Sequence, residues 1–219
     1  MILQYYGHSC FKITTKPAGR ATDDITIFID PFDKETGLKT PHGHADIALI
    51  SHNHHDHDNI LALKDEPVLV DAPGEYSILG INIVGINTTH DDQNGSVRGL
   101  NTAFVLESED IKICHLGDLG GELSGKQLDE LDGIDVLLIP VGGHYTINGK
   151  KAAELVKKIE PTIVVPMHYK MPGSSMHIDD ESLFCTEIGS CPSDKVNKIN
   201  IKKKDLEGKS MSVIVMQTE

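Results

Sequence analysis

The sequence predicts an α/β domain with sheets inside and helices outside. Three observations predict it. The first half is a succession of short β-rich runs bounded by Gly, Pro or Asp. The second half carries fully apolar runs, "IDVLLIPV" and "TIVVPMH", of the kind that form strands buried on both faces. Between them lies "GKKAAELVKKIEP", whose apolar residues recur at helical spacing. A β-rich half followed by βαβ-like units is the pattern of layered sheets under outer helices. The 219 residues contain no repeat or low-complexity linker, so a single domain over 1–219 is expected.

The elements follow in order. "ILQYYG", "CFKITT", "ITIFIDP" and "ADIALIS" are the opening strands. After them comes "SHNHHDHDN", then a short helical pattern, "NILALKDE". "PVLVDAPGEYSILGINIVGINTTH" alternates strands with turn residues, and "TAFVLESEDIKICHLGD" predicts a hairpin turning at 108–110. "SGKQLDELDG" predicts a helix capped by Ser124 and stopped at Gly133, and the helix over "GKKAAELVKKIEP" stops at Pro161. The tail "VNKINIKKKDLEGKSMSVIVMQTE" predicts a closing hairpin, with "KKKD" as a solvated turn.

Charge narrows the partners. With 33 acidic and 20 basic residues the net charge is −13, which repels phosphate backbones and anionic lipid. Aromatics are 5% and Trp is absent, which disfavours a stacking platform for single strands. A small-molecule substrate is expected, with neither nucleic acid nor membrane as partner. No run approaches the roughly 20 apolar residues of a membrane span, and "MILQYYGHSC" lacks a secretory pattern, so a cytoplasmic place is expected. Cys10, Cys114, Cys185 and Cys191 include no CxxC pair; Cys185 and Cys191 could bridge a loop, but free thiols are the expected reading in a reducing compartment.

The stretch at 51–59 sets His52, His54, His55, Asp56 and His57 within six positions. It follows a buried-type strand, the place where α/β sheets carry functional loops. His52 and His54 alternate, so both point to one side of an extended segment. Asp56 and His57 lie just past them on a turn, and His55 faces away. Imidazole with carboxylate suits zinc, manganese or iron(II).

With His52, His54, Asp56 and His57 in the H-x-H-x-D-H pattern, followed by His90 in "NTTHDD", Asp118 in "HLGDLG" and His168 in "VPMHY", the chain resembles the metallo-β-lactamase superfamily. "YYGHSCF" and "IDPF" resemble the branch containing ascorbate-6-phosphate lactonase and N-acyl-phosphatidylethanolamine phospholipase. The resemblance implies a four-layer αββα sandwich with two divalent metal ions, zinc first and manganese as the alternative. It implies that His52, His54 and His90 hold one ion, that Asp56, His57 and His168 hold the other, and that Asp118 bridges them. The function implied is a hydrolase whose metal-bridged hydroxide cleaves an ester-like bond, a lactone or phosphoester, of a small anionic substrate. Asp56 and Asp118 would be catalytic, and homo-oligomers are common among relatives. A phosphodiesterase or nuclease and an iron redox protein on the same fold are the alternatives. The β-lactam-hydrolysing enzymes place a cysteine beside the second metal; none stands here, so that activity is not expected.

Other polar residues join as candidates. His144 and Tyr145 in "GGHYT" follow a buried strand and are expected near Asp118 and His168, as proton donors or substrate-positioning groups. His8 is expected in the pocket. Asp30 either orients a ligand histidine or caps the turn before Pro31, and His115 either binds substrate or makes a structural hydrogen bond. The loops 17–24, 91–100, 120–127 and 169–192 are the expected substrate walls.

Overall fold

The computed structural model describes residues 1–16, 23–189 and 191–218. Most of the expected substrate loop 17–24 therefore lies outside the described residues. The opening runs form β1 (Ile2–Gly7), β2 (Cys10–Thr15) and β3 (Ile25–Ile29). The two-residue strands β4 (Gly43–His44) and β6 (Leu63–Lys64) pair with each other, on either side of β5 (Ile47–Leu49) in sequence. β7 (Val68–Val70) completes this half. Then come β8 (Gly74–Ile78), β9 (Ile81–Thr89), β10 (Leu100–Ser108), β11 (Ile111–His115), β12 (Val136–Pro140) and β13 (Ile163–Met167), with β14 (Lys198–Asn200) and β15 (Ser212–Val213) in the tail. Helices α1 (Gly125–Asp129), α2 (Gly149–Ile159) and α3 (Ser182–Ile188) fall in the second half.

Two sheets result, in the orders β14-β1-β2-β3-β5-β7 and β15-β13-β12-β11-β10-β9-β8. Alternation drives the first: Leu3, Tyr5, Phe11, Ile13, Ile27 and Ile29 are buried in one core with Ile83, Phe104, Ile113 and Leu138 of the second. The opposite face of β2 and β3 buries Cys10 and Phe28 in a separate cluster with Phe32 and Ala45. The layer outside the first sheet is thus the 31–45 segment, which makes one short 3-10 turn, Lys34–Thr36. On the second sheet the outer layer is helical. Ala152, Ala153 and Val156 of α2 are buried in the main core, so its apolar face meets that sheet.

Strand direction makes the site. β1 and β3 both run antiparallel to β2, and β3 is parallel to β5. In the second sheet β9 and β11 both run antiparallel to β10, and β11, β12 and β13 are parallel. The carboxyl ends of β1, β3 and β5 therefore share one edge, and those of β9, β11, β12 and β13 share another. Backbone bonds stitch the two edges together: His168 N–H donates to His8 O at 2.8 Å, and Thr102 N–H donates to Ser51 O at 2.8 Å.

Four local expectations are corrected. The tail does not close as a hairpin: β14 pairs with β1 and β15 with β13, because each strand finds an open edge of a different sheet. "NILALKDE" makes one 3-10 turn, Ile60–Ala62, before β6, too short a span for an α-helix once β6 pairs with β4. Loop 169–192 contains α3, which packs on α2. Cys185 and Cys191 are not free thiols but form a disulfide, since α3 and the turn after it bring their Cα atoms to 5.2 Å, within bridging distance. Cys10 and Cys114 are free and buried, as expected. The Ser124 cap is observed, with a reciprocal bond from Gln127, although α1 ends before Gly133. Lys203 of "KKKD" is tied to Asp135 at 2.9 Å rather than wholly solvated.

Phe104 is fully buried at the centre of β10, opposite Gly85 and His115. Phe104→Ala is expected to cost about 3–5 kcal/mol, seen as a lowered urea midpoint by circular dichroism.

Candidate metal centre

The histidine stretch takes its shape from β5. All three residues of that strand are buried, and the chain leaves it at Ser51 into a compact turn. His57 N–H and Asp58 N–H both donate to His54 O, at 2.8 and 3.1 Å, which turns Asp56 and His57 back toward the protein. His52, Asp56 and His57 are buried, while His54 and His55 are exposed.

Asp30, at the end of β3, sets the orientation of this turn. Its carboxylate accepts Ser51 N–H and Ser51 Oγ–H, both at 2.7 Å, and His57 Nδ1–H at 3.0 Å. Because the Ser51 hydroxyl proton is given to Asp30, His52 Nδ1–H donates to Ser51 Oγ at 2.9 Å. Both histidines thereby carry a proton on Nδ1 and turn Nε2 to the centre. Burial opposes charge on His57, but Asp118 and Asp30 beside it raise its pKa well above the ordinary value, so a metal there would replace a proton on Nε2. Burial works against charge on Asp30, but His57 beside it holds its carboxyl below the usual range. The two readings of Asp30 resolve to orienting the ligands.

From the other sheet, Asp118 enters after β11. Its N–H donates to Asn101 Oδ1 at 2.9 Å, and Asn101 Nδ2 donates to Thr88 Oγ1 and Leu116 O at 2.7 and 2.9 Å. Gly117 must be glycine: its φ is +55°, and a Cβ would stand 2.2 Å from Asn101 Oδ1. Asp118 Oδ2 lies 3.1 Å from His168 Nε2, 3.4 Å from His57 Nε2 and 3.5 Å from His90 Nε2. Burial opposes its charge, yet His168 and His57 keep its carboxyl well below the ordinary range. His90 Nδ1–H donates to Tyr145 O at 3.1 Å, so its Nε2 also faces the centre. His8, Asp30 and His168 adopt left-handed backbone, with φ of +54°, +48° and +50°. Such strain in non-glycine residues gathers where a site demands it.

The cluster fits a metal. His52 Nε2 and both ring nitrogens of His168 are buried without a hydrogen-bond partner; His168 Nε2 is near Asp118 but out of hydrogen-bond alignment. Leaving a buried polar atom unsatisfied costs about 1–3 kcal/mol, and a cation relieves it. Burial, with His57 nearby, lowers the His52 pKa to about 3, and burial, with His168 nearby, lowers that of His8 to about 4, so both are neutral and ligand-competent at pH 7. Ligand atoms of His52, His54 and His90 lie within 4.8 Å of one another, as do those of His52, His57 and Asp118 and those of His8, His57 and His168. No cysteine joins these groups among the described residues.

An open cavity of about 410 Å³ is lined by His54, His55, Asp56, His90, Arg98, Asp118, Tyr145, His168 and Met176. Tyr145 is where the sequence expects it. His144 lies 3.5 Å from Asp179 and lines an adjoining cavity of about 320 Å³ that shares His90, Arg98 and Tyr145 with the first. Its left-handed φ of +57° turns the chain there. His115 is structural, with Nε2–H on Ser9 O at 2.8 Å and Nδ1 accepting Gly117 N–H at 3.0 Å. Sequence reasoning missed Arg98, whose guanidinium lies over the Tyr145 ring at 4.7 Å, and Asp91, whose carboxylate accepts four backbone N–H bonds from residues 93, 95, 97 and 98. "DDQNG" carried a turn signal that could have found Asp91.

A family model, the Beta-lactamase superfamily domain, matches residues 2–168. The UPF0173 metal-dependent hydrolase of Anoxybacillus flavithermus is 32% identical over 200 residues, covering 77% of this chain and 86% of the relative. The chain belongs to the metallo-β-lactamase superfamily as a metal-dependent hydrolase. Another hydrolase of this kind, from Staphylothermus marinus, is 31% identical over 77% of the chain and 83% of its own length. The crystal structure of a candidate Zn-dependent hydrolase of the superfamily from Thermotoga maritima superposes with a TM-score of 0.78 at 33% identity, covering 100% of this chain and 99% of that one. The expected metallo-β-lactamase fold is thus shown, with helices outside the second sheet and the 31–45 segment in the outer layer of the first.

Asp30→Asn is expected to weaken metal binding about 10–100-fold, measured by competition with a chromogenic chelator; unchanged affinity would count against the orienting role. The four amides on Asp91 draw its pKa down to about 2. A depressed carboxylate pKa stabilises the fold above its unfolded value of about 3.9, and that contribution is lost as pH falls through 2. Amide exchange at 93–98 should therefore be faster in Asp91→Ala than in wild type at pH 5, with the difference shrinking below pH 4.

Proposed function

We propose that this hydrolase binds two divalent ions and cleaves an ester-like bond, a lactone or phosphoester, in a small anionic substrate. The observation that carries the reading is the position of Asp118 Oδ2, within 3.1–3.5 Å of histidines from both proposed ligand sets. His52, His54 and His90 would hold one ion, Asp56, His57 and His168 the other, and Asp118 would serve both. Such ions lower the pKa of water toward neutrality and polarise a scissile oxygen. A mixed imidazole–carboxylate set suits zinc, with manganese the alternative.

The chain's own groups supply the rest. Arg98 reaches the rim of the cavity and forms no ion pair among the described residues, so in a protein of net charge −13 it supports an anionic substrate. Tyr145, held under Arg98, lines the same cavity and is placed to orient substrate or to give a proton to the leaving group. His144 belongs to the adjoining cavity, where it would meet a remote part of the substrate. The overall negative charge weighs against nucleic acid and anionic lipid as partners.

The test is metal content together with turnover of a chromogenic phosphodiester, a lactone, a thioester and a β-lactam. Two zinc or manganese ions per chain are expected, with one substrate hydrolysed by wild type, at least 1,000-fold less by Asp118→Ala (roughly 4 kcal/mol of barrier), and not after chelation. A protein loaded with two ions that turns over no ester would overturn the reading, and bound iron would move it to redox chemistry.

A further inference from the structure

We infer that His8 is itself a ligand of the ion held by Asp56, His57 and His168, an eighth ligand beyond the seven proposed above; this rests on the two-ion reading. His8 follows β1 directly, on the same carboxyl edge as Asp30 and the histidine turn, and is 2% exposed. Its Nε2 lies 3.1 Å from His57 Nε2 and 3.2 Å from Asp56 Oδ2, and those two atoms are 3.8 Å apart. Two nitrogen or oxygen ligands, each about 2.0–2.1 Å from one ion, stand about 2.9–3.6 Å apart when neighbours in a five-ligand shell. The His8 distances match that spacing as closely as those from Asp118 to His57 and His168, 3.4 and 3.1 Å.

The hydrogen-bond inventory points the same way. His57 has committed Nδ1–H to Asp30, so Nε2 is the nitrogen it can offer to a metal. Asp56 Oδ2 is an acceptor. A cation placed among them would take a lone pair from all three atoms at once. The ring is held in place from both sides of the interface. His8 O accepts Tyr5 Oη–H and His168 N–H, each at 2.8 Å, and the His8 ring lies against those of His168 and His57, with centroids 4.4 and 4.8 Å away. Holding the residue this way requires its left-handed backbone.

The ion so held would have His8, Asp56, His57, His168 and Asp118 around it. Of these, Asp56, Asp118 and His168 line the open cavity and His8 and His57 do not.

The experiment uses the full chain loaded with zinc and, separately, with cobalt(II). In the zinc form, long-range proton–nitrogen correlation spectra should give His8 Nε2 the chemical shift of a metal-bound imidazole nitrogen. His8→Ala and His8→Gln should keep one tight ion and bind the second at least 100-fold more weakly. Their cobalt absorption, where the second site fills, should change in energy and intensity. A His8 Nε2 shift of a protonated, unligated ring in the two-zinc protein would overturn the inference while leaving the two-ion reading intact. So would variants that lose affinity with an unchanged cobalt spectrum, which would reduce His8 to a hydrogen-bond donor for Asp56. Wild type holding fewer than two ions would instead sink the two-ion reading, and the inference with it. The nitrogen shift is read on wild type, so the answer does not depend on either variant folding.

Discussion

A carboxylate with no solvent contact, Asp30, organises the centre. Its two oxygens accept three protons, two from Ser51 and one from His57, and through the Ser51 hydroxyl it also fixes His52. An ionised group at that depth is tolerable only because every lone pair that matters is engaged. The same bonds decide which nitrogen of each histidine stays free. If Asp30 did not hold those protons, His52 and His57 could present either nitrogen, and the lone pairs would not converge.

The second constraint is the way two sheets share one edge. Strands that run the same way in each sheet deliver their carboxyl-terminal residues to a common line: His8, Asp30 and the 51–57 turn from one, His90, Asp118 and His168 from the other. His115 and Ser51 lock the junction through backbone atoms, His115 on Ser9 O and Thr102 N–H on Ser51 O. Three non-glycine residues accept left-handed backbone there. Cores resist continuous deformation, so ligands built on strand ends across such a junction are held more rigidly than ligands on loops.

Around this rigid centre the rim is built differently. The loop after His90 is held by Asp91, one side chain bonding four amides, and it carries Arg98 over Tyr145. A loop held by a single carboxylate can change sequence without disturbing the metal ligands. This is where substrate choice can vary within a shared chemistry.

The sequence by itself anticipated the main strands, the Ser124-capped helix, the helix stopped at Pro161, the hairpin at 108–110 and the ligand-type cluster at 52–57, while His90, Asp118 and His168 are expected through the family resemblance. The first signals are local: apolar period, turn residues, and ligand types at close spacing. It could not show that the tail divides between two sheets or that His144 faces Asp179, since each depends on where separate segments dock. The role of Asp30 stayed undecided for the same reason, because its partners stand 21 and 27 positions away. His8 is a further case: the letters "GHS" place a histidine at a turn, but only the meeting of two sheets sets it against Asp56, His57 and His168.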